Sequence, residues 1–202
     1  MGRPAAISDD DVLDSALKLL AAAGDVSAAA IARSLAVPSG SIYHRFASRD
    51  HIVAALWLRT TRRFQDGFIH SFDALDAAQG ARRAALHALS WAKASPAEAT
   101  LLWLHRREDL VTAWPEDLAG SAARTGSELA VALRKAADRL GFPGAGLDRV
   151  RFTLIDIPQA AVRRALVQAD IPWTTLESLV LESLEALIGP GAGAKPVDRM
   201  TA

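Results

Sequence analysis

Apolar residues recur three and four positions apart along nearly the whole chain, and segments that alternate apolar with polar residues are almost absent. This spacing is typical of amphipathic helices, because it places the apolar side chains on one face of the helix. A high content of Ala and Leu favours the same structure. We therefore predict an all-α protein without strands.

Three short helices are predicted in the first fifty residues. The first begins at Ser8, which can cap a helix whose first turn holds three Asp residues, and it ends at Gly24. The second begins at Ser27, and the third follows a break at 36–38 and carries Ile42. Two short helices separated by such a tight break are typical of a helix-turn-helix.

Longer helices are predicted downstream of this unit. The first runs from Arg49 to about Phe72 and would join the N-terminal unit to the rest of the chain. The others cover about 79–95, 97–112, 116–140, 147–169 and 173–188. Pro158 lies inside one of them and should bend or loosen it, because proline lacks an amide donor. The last segment, 189–202, is rich in Gly and Pro and is predicted to be a disordered tail.

Composition argues against several functions. The chain has no cysteine, which excludes disulfides, thiolate catalysis and cysteine-held metal sites. It also has no glycine-rich phosphate loop and no His or Glu pair at metal spacing, so we expect no enzyme, no catalytic residue, no metal and no cofactor. Without a secretion signal or an uninterrupted apolar stretch of roughly twenty residues, the expected location is the cytoplasm, with no membrane partner.

Charge is distributed unevenly, although the formal net charge is zero. Between Ser27 and Arg49 the sequence contains Arg33, His44 and Arg45 and no acidic residue. A zero net charge does not favour bulk binding of nucleic acid, but this stretch predicts a local basic face on the two short helices.

The third short helix has the side chains that a helix needs in order to enter the DNA major groove. Ser39, Gly40 and Ser41 are small and permit close approach, and polar groups at this end can meet base edges and phosphates. Pro38 suits the start of a helix, where no amide donor is required.

These residues resemble the N-terminal block of the tetracycline-repressor (TetR) family of bacterial one-component regulators. The matching positions are Ser27, Ile31-Ala32, Leu35-Ala36-Val37, Ile42-Tyr43, Phe46 and Ser48-Arg49. The resemblance implies that phosphates are held by Ser27, Tyr43, His44 and Arg49, and that bases face Ser39, Gly40 and Ser41. Arg33, Pro38 and Arg45 complete the set of residues that we expect to contact DNA.

Three features depart from the family pattern. The family usually has Gly where this chain has Ala36, at a position that favours a positive φ, and a residue with a side chain costs about 1 kcal/mol there. Arg49 replaces the usual Lys and adds a fork suited to phosphate. The connection from Gly24 to Ser27 is shorter than in the family.

Aromatic and polar residues in the C-terminal part predict an apolar pocket with a few polar anchors, suited to a small molecule. The candidates are Phe64, Phe68, Trp91, Trp103, Trp114, His87, His105, Asp156 and Gln159. Any one of these aromatic residues, taken alone, is better explained as part of the core.

The last two predicted helices carry apolar stripes broad enough to need partners on two sides. The resemblance implies that they form a four-helix bundle across a two-fold axis, which would match a palindromic operator. The predicted organisation is a DNA-binding domain over 1–50, a ligand-binding and dimerisation domain over 51–188, and the tail over 189–202.

The expected function is therefore that of a ligand-responsive regulator. It would bind double-stranded operator DNA as a homodimer, most simply as a repressor, and an unidentified apolar or amphipathic effector would release it. The alternative is a helical interaction or ligand-binding module without DNA binding, which the zero net charge and Ala36 keep open.

Overall fold

A computed structural model describes residues 7–24, 26–74, 76–105, 110–168 and 170–189. Of these residues 81% are helical and none lies in a strand, so the predicted all-α class is confirmed. Nearly all of the predicted tail, 190–202, lies outside the described residues. Gly189 caps the last helix with φ 88°.

The following α-helices lie within the described residues. They are α1 (Asp9–Ala23), α2 (Ala28–Ser34), α3 (Ser39–Tyr43), α4 (Arg49–His70), α5 (Ala77–Ala94), α6 (Pro96–Trp103), α7 (Glu116–Arg139), α8 (Leu147–Arg151), α9 (Ile157–Val167) and α10 (Trp173–Ile188). The single helix predicted over 97–112 is wrong, because α6 ends at Trp103 and 111–115 is not helical. Leu110 and Val111 are instead buried in a core.

The start of α1 follows the predicted capping. The hydroxyl oxygen of Ser8 accepts from the amide of Asp11 at 3.1 Å, and the Asp11 carboxylate accepts from the amide of Ser8 at 2.8 Å. The pKa of Asp11 is lowered first by the bond from the Ser8 amide to its carboxylate and then by a bond of 2.7 Å from the Ser8 hydroxyl to the same carboxylate. Gly24 ends the helix in the left-handed region, with φ 69°.

Pro158 loosens its helix as predicted. A π-helical turn, Phe152–Asp156, separates α8 from α9, and the amide of Ile157 bonds to the carbonyl of Phe152, five residues back. Pro158 follows at once and is buried. The wider turn absorbs the missing amide without ending the helical path.

Residue contacts divide the chain into two compact units. The first contains residues 1–63 and 95–124, and the second contains 64–94 and 125–202. This grouping differs from the predicted boundary after residue 50, because the segment 95–124 packs with the N-terminal helices.

The first unit has one apolar core and a network of ion pairs. Its most buried side chains are Val12, Ala16, Val26, Ile31, Ile42, Ile52, Val53 and Leu56. Arg59 on α4 reaches back to Asp10 and Asp14 on α1, at 2.8 and 2.7 Å. Arg63 contacts Glu98 on α6 at 3.1 Å. These pairs tie α1 and α6 to α4.

The second unit is built around the small-residue face of α5. The buried positions of this helix are Gly80, Ala81, Ala84, Ala85, Ala88, Leu89 and Ala92. Small side chains let helices approach closely, and α9 and α10 pack against this face. Lys93 also forms an ion pair with Glu177 on α10. The guanidinium of Arg139 donates to the carbonyls of Phe72 and Ala74.

Candidate nucleic-acid interface

Helices α2 and α3 meet through a tight turn that contains Ala36. Ser27 caps α2 by accepting from the amide of Ala30 at 3.2 Å. Ala36 has φ 53°, in the left-handed region, and the amide of Val37 donates to the carbonyl of Ala32 at 3.0 Å. The prediction of a strained alanine at this turn is confirmed, at a cost of about 1 kcal/mol.

Helix α3 is held by one face and leaves the other exposed. Ile42 is completely buried, and Phe46, just after the helix, is 5% exposed. Tyr43 is 58% exposed, and the side chains of Pro38, Ser39 and His44 are also exposed. The apolar anchors therefore point the polar and small side chains of α3 away from the core.

Gly40 lies in the middle of this exposed face. A Cβ atom added at Gly40 would meet no atom within 4 Å. The packing of the chain therefore does not require a glycine here, although glycine weakens a helix by about 0.5 to 1 kcal/mol relative to alanine. A surface without a side chain at this point permits close approach by an external partner.

The basic residues predicted on this face have different surroundings. Arg33 on α2 is exposed. Arg45 contacts the carboxylate of Asp9 at 2.5 Å, so its charge is partly compensated within the chain. Arg49 is half-buried and donates to backbone carbonyls of Val26 and Leu110. Arg49 thus forms hydrogen bonds within the chain, and the phosphate contact predicted for it stays a prediction.

Comparison with known proteins agrees with this geometry. The sequence model of the family described as "Bacterial regulatory proteins, tetR family" matches residues 12–56, a range that includes all of α2 and α3. The matched range, 12–56, is thus similar to the N-terminal part of that family, and it covers less than a quarter of the chain. No curated protein sequence matches the chain significantly.

Solved structures share the fold of most of the chain. A TetR family transcription regulator from Marinobacter aquaeolei VT8 has a TM-score of 0.67 and 16% identity, and the match covers 89% of this chain and 94% of that one. The fatty acid degradation regulator FadR from Bacillus halodurans has a TM-score of 0.66 and 17% identity over 94% and 98%. FadR from Bacillus subtilis, in complex with stearoyl-CoA, has a TM-score of 0.66 and 14% identity, and the match covers 90% of this chain and 99% of that one. At these identities the likeness is one of fold.

The predicted ligand residues do not all fall in one unit. The second unit brings together Phe64, Phe68, His87 and Trp91. The ring centroid of Phe64 lies 5.0 Å from that of His87 and 5.3 Å from that of Trp91. Trp103, His105 and Trp114 belong to the first unit, where Trp114 packs edge-on against Trp57 at 5.9 Å. Asp156 is exposed and Gln159 is half-buried in the second unit.

His87 is closely packed against the second half of α4. Its Nε2 lies 2.9 Å from the carbonyl oxygen of Phe64. Burial lowers the pKa of His87, and the hydrogen bond to Phe64 opposes the effect only partly, so the neutral ring is favoured. A Cβ at Gly67 would lie 2.5 Å from the His87 ring, so the glycine makes room for it.

A groove in the second unit was missed by sequence reasoning. It has a volume of about 660 Å³ and is open to solvent, and it lies between the end of α4 and the second half of α7. It is lined by Asp66, Ile69, Phe72, Asp73, Ser127, Glu128, Val131, Ala132, Lys135, Ala136 and Arg139. Val131 is 42% exposed there, but its sequence neighbours are Ala130 and Ala132, so the sequence alone provides no signal that it lines a groove.

The described residues form no metal site. No group of three or more His, Asp or Glu side chains in 7–24, 26–74, 76–105, 110–168 and 170–189 is placed to hold a metal ion. In the same ranges no helix has the length and apolar character needed to cross a membrane.

Proposed function

We propose that this protein is a ligand-responsive transcriptional regulator that binds operator DNA as a homodimer. The observation that carries the proposal is the arrangement of α3, in which Ile42 and Phe46 anchor the helix while Ser39, Gly40 and Tyr43 face outward. A helix held in this way can place its N-terminal end in the major groove. Repression, a place in the bacterial cytoplasm and a lack of catalytic activity belong to the same proposal.

Exposed apolar side chains on the last helices support the homodimer. Phe152, Val167 and Leu179 are 51%, 69% and 50% exposed and lie on the π turn, α9 and α10. A monomer in water gains nothing from exposing such residues, whereas a two-fold interface buries each of them twice. The dimer would present two copies of α3 to the two halves of a palindromic site.

The second unit is the proposed place of the effector. The groove is lined by apolar side chains, among them Ile69, Phe72 and Val131, and by charged ones, and the Phe64 and His87 cluster lies in the same unit. Such a lining suits an amphipathic molecule. The B. subtilis FadR structure contains stearoyl-CoA, which is also amphipathic, and this parallel supports the same class of effector here.

The DNA-binding part can be tested with a pool of random-sequence duplexes. Purified protein is mixed with the pool, and the retained DNA is sequenced. We expect a palindromic motif, and we expect affinity for it to fall steeply with salt, because phosphate contacts release counterions.

Two variants add a control to this experiment. Tyr43→Ala should weaken binding by about 1 to 3 kcal/mol with little change in stability, since the side chain is 58% exposed. Gly126→Ala, on an exposed part of α7, is the matched control and should bind as the wild type does. If the folded wild-type protein retains no duplex, the chain is a helical interaction module and the proposal is wrong.

A further inference from the structure

We infer that Arg49 and Asp50 are positioning residues that lock the segment 110–117 onto the first turn of α4 and thereby fix the recognition helix α3. This inference rests on the proposed DNA binding. It assigns to Arg49 a role different from the phosphate contact that the family resemblance implies, and it makes the segment 110–117 a working part of the DNA-binding unit.

The guanidinium of Arg49 joins two segments that are distant in sequence. Its Nε donates to the carbonyl oxygen of Val26 at 3.1 Å, and its Nη1 donates to that of Leu110 at 2.9 Å. Val26 lies in the connection between α1 and α2 and is completely buried, and Leu110 is 6% exposed. Two donors at fixed positions on a planar group suit this bridge, which a single ammonium cannot reproduce.

Asp50 holds the next residues of the same segment. Its Oδ2 accepts from the amides of Thr112 and Ala113, at 3.0 and 3.1 Å. Its Oδ1 lies 3.3 Å from Nη1 of Arg49. Hydrogen bonds to an ionised acceptor are among the stronger ones in proteins, and this carboxylate makes them to a part of the chain without helical partners of its own.

Further contacts continue the attachment along the segment. Nε2 of His51 lies 3.2 Å from a carboxylate oxygen of Asp117. Trp114 packs edge-on against Trp57, about two turns further along α4 than Asp50. The segment 110–117 is thus contacted by the first three residues of α4 and by Trp57 further along the same helix.

The position of this attachment gives it a consequence for DNA binding. Only the residues between Tyr43 and Arg49 separate α3 from α4, and Phe46 within them is buried in the same core as Leu110 and Val111. The Arg49 bridge also ends on Val26, directly before the cap of α2. Loss of the bridge frees both ends of the helix-turn-helix at once. The helices must then be ordered when DNA binds, and this ordering costs binding free energy.

The experiment measures affinity against salt concentration for a labelled duplex that the wild-type protein selects from a random pool. Arg49→Gln and Arg49→Lys are compared with Arg33→Gln, whose parent residue is exposed on α2. A positioning role predicts that both Arg49 variants lose about tenfold in affinity or more, while the slope of log affinity against log salt is unchanged. Arg33→Gln, in contrast, should reduce that slope by about 1.8, that is, by about 0.9 for each subunit of the homodimer.

Asp50→Asn tests the other half of the attachment. Amide hydrogen exchange should accelerate at Thr112 and Ala113, and DNA affinity should fall without a change of salt slope. Thermal unfolding of every variant separates positioning from stability: a purely structural residue lowers the melting temperature but leaves the affinity of the folded protein intact.

The outcomes are distinct. If Arg49→Lys binds as tightly as the wild type, or if Arg49→Gln lowers the salt slope by about two units, one for each subunit, Arg49 contacts phosphate and the inference is overturned. If wild-type protein selects no duplex at all, the proposed function fails, and the inference fails with it. Tenfold losses at an unchanged slope in both Arg49 variants support it.

Discussion

The two compact units differ in what holds them together and in what they leave exposed. The first is tied by charged side chains between distant segments, such as Arg59 with Asp10 and Asp14, and its recognition helix exposes small and polar residues. The second is tied by rings and closely packed small residues, and it exposes apolar side chains such as Val167 and Leu179.

The difference indicates which partner each surface suits. A polar surface without bulk can approach a hydrated, charged duplex without burying unpaired groups. Exposed apolar residues gain free energy only when protein or an apolar ligand covers them. The first surface therefore suits the DNA of the proposed function, and the second suits a second subunit or an effector. Each prediction below changes one of these properties.

The largest effect is expected at the apolar surface. Leu179→Glu would bury an unpaired charge twice in a two-fold interface, and the free energy of dimer dissociation should fall by about 3 kcal/mol or more. Light scattering coupled to size-exclusion chromatography measures the change. Val131→Glu, also an exposed apolar residue of the second unit, is the control and should leave the dimer intact. A dimeric Leu179→Glu protein would contradict the proposed interface.

The close helix packing of the second unit can be disrupted at Gly67. A methyl group there would lie 2.5 Å from the His87 ring, which is held by Phe64 and cannot easily move away. Gly67→Ala should therefore lower the free energy of unfolding by about 1 to 3 kcal/mol in urea titrations. Gly126→Ala, where space is open, should instead raise it slightly.

The small-residue surface of α3 can be tested at Gly40. Gly40→Ala should stabilise the fold by about 0.5 kcal/mol and yet weaken DNA binding by about 1 kcal/mol or more, because the added methyl group occupies the space of closest approach. Fluorescence anisotropy with a selected duplex and urea unfolding measure the two effects. Unchanged DNA affinity would mean that this face does not approach DNA closely.

The strained turn gives a smaller effect of known sign. Ala36→Gly should raise the free energy of unfolding by about 0.5 to 1 kcal/mol, since glycine adopts φ 53° without strain and the gain exceeds the added flexibility of the unfolded chain. Ala29→Gly, at an exposed position of α2, should lower it by a similar amount. If both substitutions changed the free energy of unfolding in the same direction, Ala36 would not be strained in this turn.

The smallest effect concerns pH. Burial lowers the pKa of His87 below its ordinary value near 6.5, so the unfolded chain binds a proton more readily than the folded one. The contribution of the neutral ring to the free energy of unfolding is fully present above about pH 6.5. It is lost as the pH falls through the lower pKa of the folded state. His87→Gln should flatten this part of the pH profile of the urea midpoint, and an unchanged profile would exclude His87 as its source.

Local features of this protein were readable from its sequence. The cap at Ser8, the loosened helix at Pro158 and the strained turn at Ala36 each depend on a few neighbouring residues, and the structure has all three. The match to TetR-family domains over 12–56 likewise follows local order and spacing.

Partners that are distant in sequence were not readable in this way. Arg49 has the charge and position of a phosphate contact, but only the folded chain brings the carbonyls of Val26 and Leu110 to it. The predicted ligand residues were grouped by type, and the fold divides them between two units.

The sequence by itself determined the all-helical class and the placement of the helix-turn-helix, because helical periodicity, capping and turn conformation are set within a few residues. Only the tertiary structure decided that the segment 95–124 packs with the N-terminal helices and where the groove lies. It alone also decided which arginine forms hydrogen bonds to distant carbonyls of the chain. These depend on contacts across dozens of residues, and a local pattern carries no information about which distant groups will meet.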